Sequence, residues 1–386
     1  MPDPADYYRE IYARGLGGET PTIPVPVADL EAQAMAAMDP KAANYVWAGA
    51  GTEDTVDANV EAFRRHRIVP RMLRDVSARD LSTTILGTAM PAPLLLAPIG
   101  VQAIVHPDGE LATARAAAAV GVPMIASTAA HFSLEEIAEA GGDAPRWFQL
   151  YWPNDPGLAR SMVERAERAG YGAIVLTVDT FIPGWKPRDL QQAWLPFLNG
   201  MGVANYFQDP VFRAALAQPP EEDVGAATGH FLGVQANPAL RWDDLAQLRE
   251  MTSLPIVIKG IQHPDDAREA VRRGIDGVVV SNHGGRQVDG AIASIDALPA
   301  IAEAAGDDLA ILFDSGVRGG ADALKALALG ADAVCLGRPY VWGLALDGQA
   351  GVEAVLKMVL AELDLTMALC GYTRPDQLTR DALATA

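Results

Sequence analysis

The chain has 386 residues, half apolar and a fifth charged, so it can bury a large core and is not globally disordered. Its 49 acidic and 30 basic residues leave a net charge of −19, which argues against a nucleic-acid partner but permits a local anion pocket. The N-terminus has no secretory pattern, no apolar run is long enough to cross a membrane, and Cys335 and Cys370 are too few for a disulfide framework. We therefore expect a soluble, cytoplasmic protein without a membrane partner.

Eight short apolar runs recur along the chain, and each ends in a polar or glycine-rich step. They lie at 93–100, 123–128, 146–152, 172–180, 255–260, 277–285, 309–316 and 331–338. Helical patterns follow them at 108–121, 133–141, 155–170, 242–251, 263–274, 294–306, 319–330 and 348–371. Apolar strands alternating with amphipathic helices are typical of a parallel sheet covered on its outer face. Eight such units predict an α/β fold, a (β/α)8 TIM barrel; an open doubly wound sheet is disfavoured because no G-x-G-x-x-G follows the first run.

The whole chain, 1–386, is predicted to be one domain with additions to its barrel. Residues 1–90 are expected to form helices that cap one end, 91–371 the barrel, and 372–386 a C-terminal tail. A long insertion, 181–240, rich in proline and aromatic residues, follows the fourth strand. Long loops of this kind serve as lids or binding loops, and a packed surface excursion or a subunit contact is an equal alternative.

The last two predicted strands end in glycine-rich turns, DSGVRGG (314–320) and LGRP (336–339), which carry Arg318 and Arg338. The carboxyl ends of barrel strands converge on one face, where active sites are built. Backbone N–H groups and cations at this place favour a phosphate. Each turn alone could equally be a tight turn with a surface ion pair, but two in adjacent units favour the phosphate site.

A second group of strand-end residues consists of Tyr151, Asp179, Lys259, His283 and Arg286. A histidine takes up a proton near neutral pH, and a buried carboxylate such as Asp179 stabilises the imidazolium. Arg286 offers a planar fork for a substrate carboxylate, and Lys259 supplies charge to an acceptor that becomes anionic. Each residue alone has an ordinary structural explanation, but together they predict a reaction centre. No spacing of potential ligands indicates a metal site.

The stretch SNHGGRQVDG (281–290), with IKG (258–260), TVDT (177–180) and the two glycine-rich turns, resembles the family of FMN-dependent α-hydroxy-acid oxidases and dehydrogenases. The resemblance runs from about Tyr45 to Gly371. Within the family, 146–155, 187–198, 202–213 and the length of the insertion are most similar to lactate 2-monooxygenase. The resemblance implies FMN as cofactor, a small L-2-hydroxy acid and dioxygen as substrates, and a homo-tetramer or homo-octamer.

The resemblance also implies a role for each matching residue. His283 would take the hydroxyl proton of the substrate, with Asp179 as its partner; Arg286 and Tyr45 would clamp the carboxylate, and Tyr151 would hydrogen-bond the substrate oxygen. The residues implied to contact the flavin and its ribityl chain are Ala97, Pro98, Ile99, Gly100, Ser127, Gln149, Thr177, Lys259, Ser281, Asp314 and Gly316. Those implied to hold the phosphate are Arg318, Gly337 and Arg338.

One position in the carboxylate clamp departs from the family pattern. In GWKPRD (184–189), Lys186 stands where relatives carry a second clamp arginine, and Arg188 matches the other arginine of the pattern. A lysine keeps the charge but loses the bidentate fork. We therefore expect Lys186 to affect the affinity for the substrate and the identity of the acid more than the chemistry of the reaction.

The sequence thus predicts an FMN-dependent oxidoreductase for a small, L-lactate-like 2-hydroxy acid, with lactate 2-monooxygenase as the first expectation. That enzyme converts lactate to acetate, CO2 and water. One alternative is an oxidase that releases the 2-keto acid and H2O2, and another is a dehydrogenase that passes electrons to a quinone or a protein. An alternative from a different class is a phosphate- or flavin-binding barrel without catalysis.

Overall fold

The computed structural model describes residues 4–385, and its centre is a closed barrel of eight parallel strands. The strands are Leu94–Leu96, Met124–Ser127, Arg146–Leu150, Ile174–Thr177, Ile256–Ile261, Gly277–Val280, Ala310–Phe313 and Ala333–Leu336. They follow one another in chain order around the barrel, and the last closes it by pairing with the first, where Cys335 lies opposite Leu95. The predicted TIM barrel is confirmed.

Both faces of the barrel strands are buried, which explains why the strands appear as continuous apolar runs. One side chain from each strand fills the interior of the barrel: Leu95, Ile125, Trp147, Val175, Val257, Val279, Leu312 and Cys335. The alternate residues of the strands, such as Phe148 and Ile258, belong to the larger core between the barrel and the surrounding helices.

The helices around the barrel occupy the predicted positions with one difference. They are Gly109–Val120, Leu134–Gly141, Pro156–Arg168, Leu245–Met251, Pro264–Arg272, Ser294–Ala305, Gly320–Ala328 and Arg338–Leu369. Ser133 and Glu136 form a capping box, and Asp155 caps the helix that Pro156 begins. The last helix begins at Arg338 instead of Gly348, and Asp347 and Gly348 have non-helical dihedral angles, so the predicted start coincides with a kink.

The segment before the barrel contains short strands as well as the predicted helices. The helices are Asp6–Gly15, Val27–Ala37, Pro40–Trp47 and Asp54–Ala62, and the strands are His66–Ile68, Thr83–Ile85 and Thr88–Met90. The last two strands form a hairpin whose Ile85 and Met90 pack on the barrel interior, where Trp147 Nε1 donates to Thr88 Oγ1 at 2.9 Å. The first pairs with Leu383–Thr385. Strands of three residues are too short to show a period, so the sequence pattern did not predict them.

The insertion after the fourth strand is mostly helical and is packed onto the barrel. Its helices are Pro187–Gln191, Ala204–Phe207, Pro210–Ala214 and Val224–Val234, with a 3-10 turn at Pro196–Asn199. The fully buried Asn205 donates through Nδ2 to the carbonyls of Ser127 and Thr128 at 3.2 and 3.1 Å. Arg165 Nη1 donates to Asn205 O at 2.7 Å and to the buried Asp209 at 3.0 Å. The middle of the insertion is therefore anchored by buried polar contacts.

From residue 4 to residue 385, the structure contains no helix with both the length and the apolarity that a membrane span requires.

Candidate active site

One cavity of about 410 Å³ opens at the carboxyl ends of the barrel strands. It brings together most of the predicted site residues: Tyr45, Ala97, Pro98, Ile99, Gly100, Ser127, Tyr151, Lys186, Lys259, His283, Arg286, Asp314, Gly316, Arg318, Gly337 and Arg338. The other predicted residues lie directly behind this lining. Asp179 contacts His283, Ser281 contacts Lys259, Gln149 contacts Ser127, and Thr177 pairs with Lys259 in the strand register.

His283 and Asp179 form a hydrogen-bonded pair at the ends of the sixth and fourth strands. His283 Nδ1 lies 2.8 Å from Asp179 Oδ1, and Thr180 Oγ1 lies 2.8 Å from the same carboxylate oxygen and 3.1 Å from Nδ1. Because an ionised carboxylate only accepts hydrogen bonds, the pair places the proton of the neutral ring on Nδ1. This leaves Nε2 as the proton acceptor of a side chain that lines the cavity.

The charges of the pair suit a base and its partner. Burial lowers the pKa of His283 more than the nearby Asp179 raises it, so the imidazole is neutral near pH 7. Burial would raise the pKa of Asp179, but attraction to His283 and Lys259 lowers it to about 2. A neutral acceptor beside a fixed anion can take up a proton and hold the resulting imidazolium.

The turn that carries His283 has an unusual backbone. His283, Gly284 and Gly285 have φ angles of 58°, 64° and 78°, all in the left-handed region. A Cβ on Gly285 would lie 2.7 Å from the backbone nitrogen of Val56, so this position has room only for glycine. The left-handed backbone conformation of His283 lowers the free energy of unfolding by about 1–3 kcal/mol, which the surrounding contacts must offset. The turn brings Arg286 back to the cavity that His283 lines.

Arg286 is held in place by the segment that precedes the barrel. Its Nη1 donates to the carbonyls of Tyr45 and Ala48, both at 2.7 Å, and its guanidinium lies 5.2 Å from the centre of the Tyr45 ring. Within residues 4–385, the other guanidinium nitrogens of Arg286 make no hydrogen bond. They remain available to a ligand carboxylate.

Lys186 lies in the same cavity, close to Arg286 and Asp189. Burial and the nearby Arg286 lower the pKa of Lys186 to about 8, although Asp189 opposes them. Arg188 is absent from the cavity lining and is paired with Glu53 through two hydrogen bonds of 2.7 and 2.6 Å. Arg188 therefore does not replace the missing clamp arginine, and Lys186 is the second cation beside Arg286.

A group of buried polar atoms faces the inner part of the cavity. Lys259 Nζ donates to Ser281 Oγ at 2.9 Å and lies 3.2 Å from Asp314 Oδ2. Burial would lower the pKa of Lys259, but Asp314 and Asp179 raise it, so the ammonium is charged. Fixed positive charge at this depth suits a ligand that gains negative charge.

Gln149 Nε2 and Thr177 Oγ1 are among the buried polar atoms that have no partner in the described part of the chain. The oxygen of the Gln149 amide accepts from Ser127 Oγ at 3.0 Å and from Thr128 N at 3.1 Å, which fixes the direction of the amide. Buried polar groups are nearly always hydrogen-bonded, so we expect these two to contact a bound ligand whose edge carries hydrogen-bond donors and acceptors.

The far end of the cavity gathers cations. Arg338 donates to the carbonyls of Val46, Trp47 and Gly284 at 3.1, 3.3 and 3.0 Å, and Arg318 lies 5.3 Å from the centre of a Trp342 ring. Burial, with Arg286 and Arg318 nearby, lowers the pKa of Arg338 to about 9. Buried cations so close together favour a bound anion, and a phosphate beside the turns that carry Arg318, Gly337 and Arg338 would supply it.

Apart from Tyr45 and Lys186, sequence reasoning missed the cavity residues that come from the N-terminal segment and from the insertion. Insertion residues that line the cavity include Leu195, Phe197, Tyr206, Phe231, Leu232 and Gln235. Asp189 also lines it, and Glu31 lies near Arg318 and Arg338. The aromatic-rich composition of the insertion was the only signal for these residues. In residues 4–385 no group of three potential metal ligands was found.

Comparison with known proteins gives concordant results. The sequence profile of the FMN-dependent dehydrogenase family matches residues 34–385. An L-lactate oxidase of Lysinibacillus sphaericus is 46% identical, over 91% of this chain and 90% of the relative. An FMN-dependent alpha-hydroxy acid dehydrogenase of Schizosaccharomyces pombe is 44% identical, over 99% and 96%. The crystal structure of a mandelate oxidase superposes with a TM-score of 0.83 at 39% identity, over 94% of this chain and 98% of the other.

Proposed function

The chain belongs to the FMN-dependent dehydrogenase family, and we propose that within this family it is an oxidase that converts a 2-hydroxy acid and O2 to the 2-keto acid and H2O2. Oxidation of an α-hydroxy acid with FMN is common to the relatives, and this chain is an FMN-dependent α-hydroxy-acid oxidoreductase. The finer statement, that O2 is the acceptor and peroxide is released, is supported by relatives named lactate oxidase and mandelate oxidase.

This conclusion differs from the first expectation from the sequence. The relatives and solved structures named above are oxidases and a dehydrogenase, and lactate 2-monooxygenase is not among them. The oxidase alternative is therefore better supported than the monooxygenase. The homo-tetramer or homo-octamer and the cytoplasmic location stay predictions.

The observation that carries the proposal is the His283–Asp179 pair at the cavity. His283 Nε2 takes the proton of the substrate hydroxyl, and the carboxylate 2.8 Å from Nδ1 stabilises the imidazolium. Tyr151 lines the cavity beside this pair, and burial raises its pKa, so it is a neutral hydrogen-bond donor to the substrate oxygen.

The carboxylate of the acid binds between Arg286 and Lys186, with the hydroxyl of Tyr45 as a third contact. Arg286 uses the guanidinium nitrogens that the chain leaves free, and Lys186 contributes charge without a fork. Two cations at one end orient the acid so that its hydroxyl faces His283.

FMN fits the inner cavity because its flavin edge can pair with Gln149 and Thr177 and its phosphate with Arg318 and Arg338. Lys259 holds positive charge beside the ring, and Ala97, Pro98, Ile99 and Gly100 line its face. Asp314, Ser281, Ser127, Gly316 and Gly337 complete the proposed contacts. When bound, FMN supplies the acceptor for the α-hydrogen and its electron pair, and the site where O2 is reduced.

The test is the stoichiometry of one turnover with L-lactate or a longer L-2-hydroxy acid, without catalase. We expect one 2-keto acid and one H2O2 for each O2 consumed. A shorter carboxylic acid with CO2 and no peroxide would establish the monooxygenase instead. Flavin that is reduced by the acid but reacts slowly with O2 would establish a dehydrogenase. Flavin that no 2-hydroxy acid reduces under anaerobic conditions would overturn the assignment to this substrate class.

A further inference from the structure

The wall that the insertion contributes to the cavity is mainly hydrocarbon, unlike the charged wall formed by the strand ends. Leu195, Phe197, Phe231 and Leu232 present carbon to the cavity, and Tyr206 and Gln235 are its polar members. Leu232 remains 40% exposed, whereas Phe231 is 1% exposed. Leu195 and Phe197 are partly buried, so Leu232 is the most exposed apolar side chain among these four.

The insertion wall begins beside the reaction centre and extends away from it. Burial raises the pKa of Tyr206, and the nearby Tyr151 raises it further. The centres of the Tyr206 and Phe231 rings are 4.8 Å apart, and those of Phe231 and Phe197 are 5.4 Å apart. The aromatic surface is thus continuous from Tyr206 through Phe231 to Phe197.

The insertion wall is also fixed, so it cannot move inward to fill unused space. A Cβ on Gly202 would lie 2.7 Å from Val101 Cγ2 and 2.9 Å from Phe197 Cε1, which shows how closely the insertion packs on the loop after the first strand. The buried contacts of Asn205 and Asp209 hold the adjoining helices. Close-packed surroundings of this kind relax little when a ligand fails to fill a space.

The charged and apolar walls together determine which way a substrate faces. Its carboxylate is taken by Arg286 and Lys186 and its hydroxyl by His283, so the remaining substituent on the same carbon faces the insertion wall. The methyl group of lactate would leave most of the apolar surface uncovered. Burial of each additional methylene favours binding by roughly fourfold.

We propose that this protein prefers L-2-hydroxy acids with an apolar side chain several carbons longer than the methyl group of lactate, and that Leu232 determines the length it accepts. The proposal rests on the 2-hydroxy-acid oxidation proposed above. It assigns the insertion to the recognition of the substrate side chain, in a wall that is preformed.

The first test measures kcat/KM of the FMN-loaded enzyme for L-lactate, L-2-hydroxybutanoate, L-2-hydroxypentanoate and L-2-hydroxyhexanoate. We expect a rise of roughly fourfold per methylene, and so a factor of about 60 between the first and the last acid. Inhibition by propanoate, butanoate, pentanoate and hexanoate, which are the same four acids without the hydroxyl, should strengthen in the same order. A highest value for lactate, or no trend among the inhibitors, would overturn this proposal while leaving the oxidase function intact. Flavin that none of the four acids reduces would instead overturn the oxidase function itself.

The second test places the length limit on Leu232. Leu232→Trp should lower the hexanoate-to-lactate ratio of kcat/KM by at least tenfold, because the larger ring occupies the space of the longer side chain. Leu198→Trp is the matched control, since Leu198 belongs to the same insertion, is 54% exposed and does not line the cavity; its ratio should stay that of the unmodified protein. Equal ratios in the two variants would remove Leu232 from the proposal.

Discussion

The strand ends of the barrel and the insertion line the same cavity but are built in different ways. At the strand ends, polar side chains contact one another directly: Lys259 lies 3.2 Å from Asp314, and His283 lies 2.8 Å from Asp179. In the insertion, buried polar residues such as Asn205 and Asp209 point away from the cavity and anchor an apolar wall. The proposed chemistry thus uses side chains on the barrel strands, whereas the proposed selectivity uses a segment that is fixed by its own contacts.

The largest expected effect belongs to the strand ends. His283→Ala should lower the rate of flavin reduction by the acid roughly 10²- to 10⁴-fold, because a positioned general base contributes that much. FMN should stay bound, as judged by the absorbance of the purified protein. Reduction is measured under anaerobic conditions in a stopped-flow instrument.

His263→Ala is the control for that variant, since His263 is an exposed histidine of the same barrel that does not line the cavity, and it should reduce within twofold of the unmodified rate. A His283→Ala protein that reduces as fast as this control would show that the base is elsewhere.

The next largest effect should separate stability from chemistry. Asp209→Ala leaves part of the buried Arg165 charge without its partner and removes the cap of helix Pro210–Ala214. We expect the free energy of unfolding to fall by about 3 kcal/mol, measured by urea denaturation. Flavin reduction should change far less than in His283→Ala.

The matched control in the insertion is Glu221→Ala, which breaks the exposed pair with Arg213 and should leave the urea midpoint nearly unchanged. A reduction rate that collapses in Asp209→Ala while the unfolding midpoint holds would mean that the insertion takes part in the chemistry.

Lys186 stands between the two regions, and its effect should be intermediate. Lys186→Met removes a charged hydrogen bond to the carboxylate and should lower kcat/KM by roughly 10- to 100-fold.

The pH dependence of kcat/KM tests the roles proposed for Lys186 and His283. Binding needs charged Lys186, whose pKa is about 8, so kcat/KM should fall as pH rises through about 8. The base needs neutral His283, whose pKa is lowered, so the acidic limb should lie below pH 6.5.

In Lys186→Arg the alkaline limb should move to higher pH, because the guanidinium stays charged. An unchanged alkaline limb in this variant would assign that ionisation to another group.

The smallest effect is expected at the outer rim, where Glu53 and Arg188 link the N-terminal segment to the insertion. A partly exposed pair of this kind contributes about 0–1 kcal/mol. Glu53→Gln should therefore leave kcat/KM for the preferred acid within about twofold. A loss of more than tenfold would show that the pair holds Lys186 in place and that the rim is part of the clamp.

Much of the barrel and of its site was predictable because the signals are local. Each strand contains a short apolar run, and the first polar residue after that run, such as Lys259 or Asp314, lies near the carboxyl end of the strand, where the active sites of such barrels are built. The placement of His283 beside Asp179 followed from strand ends that converge in any such barrel.

Three features follow only from the tertiary structure. The first is which residues of the insertion face the cavity, and the second is the packing of the hairpin at 83–90 against the barrel interior. The third is that Arg188 pairs with Glu53 while Lys186 lines the cavity. The physical reason is that these contacts join segments far apart in the chain and involve elements too short to show a period. In such segments burial is set by the surface that each one meets, and that surface exists only once the barrel has closed.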